Sequence, residues 1–315
     1  QSSDVIILGG THMKRRDFLK RTARGAAVAG IAGPNIVING CSTGKEYDLL
    51  IIGGMVYDGT GAPGAMADVA VKGDKVVKIA SSIDPKKAAD VIDARGMVVS
   101  PGFIDPHTHT DIQLLVNPKA ESKIRQGVTT EIGGNCGDSW YPVPESSVEK
   151  ASASLQERYN LDLDWRDLDG FFKRLDRTGS AVNFATLIGN GTIRSAALGP
   201  YDRPPDTAEL ETMMRTLETC MQSGAVGMSS GLEYAPSCFS CTEELIDLCR
   251  IVARYGGVYA THMRSEDSLL LEAIDEALRI SRESGASLEI AHFKTCYKPN
   301  WDKLDRALDR KSTRL

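Results

Sequence analysis

Four histidines and one cysteine stand where they could share a metal ion: His107, His109, Cys136, His262 and His292. Neutral imidazole nitrogen and thiolate sulfur are preferred zinc ligands, and a zinc ion that does chemistry keeps one position free of protein. The chain holds five histidines, and the fifth, His12, falls in a leader segment. Every histidine of the folded region therefore belongs to the set. A lone strand-end histidine is usually a hydrogen-bonded structural residue; four of them beside a cysteine point to a metal centre. His107 and His109 are two residues apart, which on a strand sends both side chains to one face. Cys136 sits between Gly134-Asn135 and Gly137, a rim-like setting rather than a core one.

These residues need a scaffold that ends several strands at one level. Apolar runs predict strands over 98–109, 128–136, 181–190, 225–234, 258–264 and 288–294, with a candidate ligand near the end of four of them. Between the strands lie helical stripes: Leu210, Met213, Met214, Leu217 and Met221; Leu245, Leu248, Cys249 and Val252; Leu270, Ile274 and Leu278. Alternating strands and helices argue for βα units around a parallel sheet. The fold class is α/β, a partial TIM-type (β/α)8 barrel with about six of eight βα units over 99–315, its active site at the C-terminal strand ends. An open six-stranded sheet is the structural alternative. Ahead of it, residues 47–98 carry short β-rich runs separated by Gly53-Gly54, Asp58-Gly59 and Gly73-Asp74, half of a small β-sandwich. Lys311-Ser312-Thr313-Arg314-Leu315 carries no helix stop, so the chain reads as truncated at its C-terminus.

A length of 315 residues, 42% hydrophobic and 25% charged, describes a globular chain. The formal charge of −5 mixes both signs without a basic run past the first segment, which excludes a nucleic-acid partner. Residues 1–12 read as leader sequence. From Met13 the order Lys14-Arg15-Arg16-Asp17-Phe18-Leu19-Lys20 followed by an Ala/Gly stretch is that of a secretory signal over 13–41, and its paired arginines resemble a twin-arginine signal. Cys41 follows Ile38-Asn39-Gly40, which partly fits a lipidation site. The expected location is the bacterial periplasm or cell envelope, with membrane contact only through the signal or a lipid. Cys238 and Cys241 form a C-x-x-C without a second pair, so they read as chance or as an exported-compartment disulfide.

Pro101-Gly102-Phe103-Ile104-Asp105-Pro106-His107-Thr108-His109 resembles the first-strand signature of the amidohydrolase superfamily. Gly134-Asn135-Cys136-Gly137, Ser229-Ser230-Gly231-Leu232-Glu233-Tyr234, Thr261-His262-Met263-Arg264 and His292-Phe293-Lys294 narrow the similarity to the D-aminoacylase family, over about residues 47–301. That resemblance implies hydrolysis of the amide bond of N-acyl-D-amino acids, giving a carboxylate and a free D-amino acid. It implies Zn(2+), with Cys136, His262 and His292 as a tight site and His107 and His109 facing a second, weaker one. Tyr234 and Lys294 are the implied binders of the substrate carboxylate; for Lys294 the two-residue spacing from His292 agrees. Where some relatives carry histidine at the end of the third strand, this chain has Asn190. The family's catalytic aspartate is expected beyond Leu315, so residues 1–315 alone are expected to be inactive.

Two other functions compete. A cyclic-amide hydrolase of the hydantoinase or dihydroorotase kind shares the scaffold but needs a carboxylated lysine on the fourth strand, and residues 225–234 contain no lysine. An exported zinc-containing binding protein would close its metal with four protein ligands.

Overall fold

The computed structural model describes residues 5–8 and 44–314. The signal-like segment 13–41, with Cys41, lies outside the described residues. The chain divides into two compact units, Gln1–Phe103 and Ile104–Leu315.

In the first unit, β1 (Val5–Leu8), β2 (Tyr47–Val56), β3 (Ala65–Lys72), β4 (Lys75–Ala80), β5 (Ala88–Asp93) and β6 (Val98–Pro101) make one sheet. Its order is β1-β6-β2-β3-β4, with β5 also on β2. Successive strand residues face opposite ways, so Leu50 and Ala70 join one apolar cluster while Ile51 and Val69 join another. Val5–Leu8, set aside as leader by the sequence reading, pairs antiparallel with β6. β5 was not foreseen: Ala-Ala-Asp-Val-Ile-Asp lacks a strong β signal, and its place comes from parallel pairing with β2.

The second unit holds the predicted parallel sheet. β7 (Phe103–Asp105), β8 (Val128–Gly133), β9 (Asn183–Gly189), β10 (Gly227–Gly231), β11 (Val258–His262) and β12 (Ser287–Ile290) stand side by side in sequence order. From β8 to β12 every neighbouring pair is parallel. All five residues of β10 are buried, as a strand covered on both faces requires. The predicted strand over 98–109 is corrected to two, β6 and β7, in different sheets. Pro101-Gly102 explains the break, since proline donates no ladder hydrogen bond and glycine permits the bend.

The helices follow their apolar stripes. Asp206 caps the Thr207–Gln222 helix by accepting from Glu209 N at 2.8 Å, and the Glu209 carboxylate accepts from Asp206 N at 2.8 Å. This reciprocal box satisfies two orphan donors. The helix buries Met213, Leu217, Cys220 and Met221 against the core, and each large apolar side chain contributes about 1.5–3 kcal/mol. The Thr242–Arg254 and Leu270–Ser284 helices bury the stripes read from sequence in the same way. Among the described residues no helix is long and apolar enough to cross a membrane.

Candidate metal centre

Each strand of the second unit stops short of its candidate ligand, except β11, which ends on His262. β7 ends at Asp105, β8 at Gly133 and β12 at Ile290. His107, His109, Cys136 and His292 therefore sit on turns just past the strands, and strand alternation does not aim them. Other contacts do. Asp105 Oδ1 accepts from His107 N at 3.2 Å and its Oδ2 holds Lys123 at 2.7 Å. The Asn135 amide donates to Ile132 O at 2.9 Å, Thr108 O at 3.3 Å and Pro106 O at 3.4 Å, tying the turn of the two histidines to the turn of Cys136. Ser229 accepts from Gly137 N at 3.0 Å and donates to Gly134 O, binding that turn to β10.

Close approach makes two glycines obligatory here. A Cβ on Gly231 would stand 2.0 Å from the Cys136 carbonyl oxygen. Gly134 has φ +68° and a Cβ there would meet Leu187 O at 1.9 Å. Cys136 and His292 themselves adopt positive φ, 54° and 36°. A side-chain-bearing residue in the left-handed region costs about 1–3 kcal/mol and concentrates at functional sites.

The five side chains converge. Cys136 Sγ lies 3.6 Å from His107 Nε2, 3.9 Å from His262 Nδ1 and 4.0 Å from His292 Nε2. Two triads share the sulfur: His107, His109 and Cys136; and Cys136, His262 and His292, with the ligand atoms of each within 4.8 Å of one another. Carboxylates outside the cluster lie against two rings. His262 Nε2 is 3.2 Å from Glu233 Oε2, and His292 Nδ1 is 2.5 Å from Glu266 Oε1 and 3.1 Å from the Lys294 ammonium. A ring that gives one N–H to a carboxylate presents a lone pair on the other nitrogen. For His262 that nitrogen is Nδ1, which faces His292 Nε2 at 2.8 Å.

The electrostatics agree with a site built for a cation. Burial pushes the Cys136 thiol up to about 11, and the Glu266 and Glu289 carboxylates add to it. Burial, then the neighbouring His292 and His109, lowers His107 to about 4, so that ring is neutral at ordinary pH. His107 Nδ1 is buried without a hydrogen-bond partner. A zinc ion reverses the logic for the thiol, deprotonating a coordinating sulfur outright. The donor set of imidazole and thiol fits zinc.

A cavity of about 560 Å³ opens beside the cluster, lined by His109, Cys136, Trp140, Val143, Thr192 and Tyr234 among others. Tyr234 is half exposed and its ring centre is 4.8 Å from that of His262. Lys294 is placed differently from the sequence expectation. It lies beyond β12, 3.1 Å from His292 Nδ1, with its ammonium on the Glu266 carboxylate, and it does not line the cavity. Asn190 stays out of the cluster: fully buried, it donates to Ser240 Oγ at 2.9 Å and accepts from Ser237. Cys238 and Cys241 are free thiols, so no disulfide joins them. Glu233 and Glu266 were missed in the sequence, where only their spacing of four residues beyond Ser229 and His262 could have marked them.

Glu266, 3% exposed, holds both His292 and Lys294. Glu266→Gln is expected to weaken zinc binding about 10–100-fold, the usual cost of losing an outer-shell carboxylate, measured by competition with a chromophoric chelator.

Residues 90–292 match the model of the amidohydrolase family. D-aminoacylase of Alcaligenes xylosoxydans xylosoxydans is 38% identical over 266 residues, 83% of this chain and 54% of that protein. Among solved structures, N-acyl-D-glutamate deacylase of Bordetella bronchiseptica, complexed with zinc and a phosphonate inhibitor, aligns with TM-score 0.78 and 32% identity over 85% of this chain and 56% of that one. A D-hydantoinase aligns with TM-score 0.51 at 18% identity, covering 84% of this chain and 55% of that one, a likeness of fold alone. The chain spans about half the length of the curated relatives it matches.

Proposed function

This chain belongs to the amidohydrolase family, and from that premise we propose that it is the metal-holding part of a zinc-dependent deacylase of N-acyl-D-amino acids. The observation that carries the reading is the convergence of one thiol, Cys136, with imidazole nitrogens of His107, His262 and His292 inside 4.0 Å. Cys136, His262 and His292 would hold the tight zinc ion, and His107 and His109, sharing the same sulfur, a weaker second one. Bound there, zinc supplies Lewis acidity, polarising an amide carbonyl and acidifying water.

The chain's own residues do the rest. Glu233 fixes which nitrogen of His262 faces the centre, and Glu266 lies against His292 and Lys294. Tyr234, on the cavity wall beside His262, receives the substrate carboxylate through its hydroxyl. Lys294 joins it by exchanging Glu266 for the substrate carboxylate, a rotation its partly exposed side chain allows. The rival reading as a cyclic-amide hydrolase is disfavoured by the thiol at the shared ligand position and by residues 225–234, which contain no lysine. The twin-arginine-like segment and Cys41 support export to the periplasm or envelope as part of the same proposal.

The test is amine release by the full-length gene product from paired N-acyl-D- and N-acyl-L-amino acids, with and without zinc. Expected is zinc-dependent hydrolysis of the D-series. Hydrolysis of hydantoins or dihydroorotate in its place overturns the reading.

A further inference from the structure

Tyr234 stands on the segment that follows β10, and that segment is closed on itself. Gly231 N donates to Ser237 Oγ at 3.0 Å, Tyr234 N to Gly231 O at 2.8 Å and Cys238 N to Tyr234 O at 2.8 Å. The Tyr234 ring rests on Gly231, where a Cβ would stand 2.9 Å from its Cδ2. A shift of Gly231 therefore shifts the ring. The Ser237 hydroxyl receives Gly231 N, and that hydroxyl is itself held from another element, by Asn190, fully buried at the start of the Asn190–Leu198 helix.

The direction of each hydrogen bond in this chain follows from its far end. Glu244, paired with the Arg194 guanidinium, is a carboxylate and only accepts. Ser240 must then give its proton to Glu244, at 2.8 Å, and accept from the Asn190 amide, at 2.9 Å. That fixes the amide: its nitrogen faces Ser240 and its carbonyl oxygen faces Ser237. Ser237 accordingly donates to Asn190 Oδ1 and keeps a lone pair for Gly231 N. Arg264 grips the same segment farther on, donating to Cys238 O and to Ser240 O at 2.9 Å each. Those contacts lie beyond Ser237, and the link to Gly231 runs through Asn190.

We infer that Asn190 is a positioning residue: through Ser237 and Gly231 it sets the place of the Tyr234 ring beside the metal centre. The inference rests on the deacylase reading for its consequence on substrate, and on contacts alone for the position of Tyr234. The turn that carries Cys136 has its own ties, through Asn135 to Ile132 O and through Gly137 N to Ser229. Loss of Asn190 should therefore move Tyr234 and spare the metal.

The experiment uses the zinc-loaded full-length protein with 3-fluorotyrosine in place of tyrosine, the Tyr234 fluorine signal being assigned from its loss in Tyr234→Phe. Asn190→Ala removes the acceptor of Ser237, and Ser237→Ala removes the same link from the other side. Both are expected to shift or broaden the Tyr234 signal with zinc content unchanged. Asn190→Asp keeps an oxygen for Ser237 but loses the donor to Ser240 and brings a second carboxylate toward Glu244. It is expected to lower the unfolding midpoint at least as far as Asn190→Ala while leaving the Tyr234 signal close to that of the parent. A merely structural role would move stability and signal together. An unchanged Tyr234 signal in Asn190→Ala and Ser237→Ala, or a signal that tracks the unfolding midpoint across all three variants, overturns the inference. In hydrolysis of N-acetyl-D-methionine, Asn190→Ala is expected to raise KM about tenfold, the scale of one lost hydrogen bond. The same variant should change kcat less than about twofold, the pattern of lost binding rather than lost chemistry. A fall in kcat at unchanged KM counts against the inference. A parent that hydrolyses no N-acyl-D-amino acid overturns the deacylase reading instead, and the fluorine comparison still decides the place of Tyr234.

Discussion

Cys136→Ala is expected to cut zinc affinity by more than about 100-fold, beyond the cost of changing an outer-shell group, and to take any zinc-dependent hydrolysis with it. Cys136 is the one residue common to both triads of candidate ligands, so its loss opens both at once. The second part of the expectation concerns protons. Burial and two carboxylates hold the free thiol protonated up to about pH 11. Metal binding must therefore release that proton, and affinity must rise with pH through the neutral range. His107, lowered to about 4, has no proton to give there. The variant should release one proton fewer per zinc than the parent, measured by calorimetry in buffers of different ionisation enthalpy. Cys241→Ala, at an exposed helix start, should leave both quantities unchanged. Equal proton release by parent and Cys136→Ala would remove the sulfur from the site.

The largest expected effect on stability lies one layer out. Arg194 is fully buried, and its guanidinium meets the Glu244 carboxylate at 2.5 Å while also donating to Arg203 O. Glu244 accepts in addition from Ser240 Oγ at 2.8 Å, and Ser240 in turn takes the Asn190 amide. This chain of polar contacts locks the Asn190–Leu198 helix to the Thr242–Arg254 helix. Glu244→Ala would strand a guanidinium in the interior, since Arg194 Nε already lacks a partner. Breaking one side of a buried pair costs about 3–5 kcal/mol. The midpoint of urea unfolding reads that loss directly. Replacing both partners, Arg194→Met with Glu244→Leu, should recover most of it, because well-packed apolar groups commonly equal a buried pair. A loss under about 1 kcal/mol for Glu244→Ala would mean that the pair is solvated in solution.

Much of the second unit could be read from residue pattern. The stripe Met213, Leu217 and Met221 and the stripe Leu245, Leu248 and Val252 specify helices because 3.6-residue periodicity leaves few alternatives. The five parallel strands β8 to β12 are visible as runs between the predicted helices. What pattern does not show is where a strand stops. The ladder ends at Asp105, Gly133 and Ile290 because the chain turns there, and the turns depend on tertiary contacts such as Asn135 reaching Pro106, Thr108 and Ile132. The period-two argument for His107 with His109, and for His292 with Lys294, does not hold, because turns rather than strands carry these residues: the two histidines still meet at Cys136, whereas Lys294 lies on Glu266 and does not line the cavity. Histidine scarcity made the cluster conspicuous, whereas carboxylates are plentiful, 42 in the chain, so nothing singled out Glu233 and Glu266. Their significance comes only from distance, 3.2 Å and 2.5 Å from ring nitrogens. β5 was invisible for the opposite reason: its residues are weak strand formers placed by pairing with β2.

Zinc-edge X-ray absorption on the zinc-loaded protein tests the centre itself. One sulfur at about 2.3 Å beside imidazole nitrogens at about 2.0–2.1 Å is the predicted shell, with the sulfur gone in Cys136→Ala. A parent spectrum that fits nitrogen and oxygen alone would contradict a centre built on Cys136.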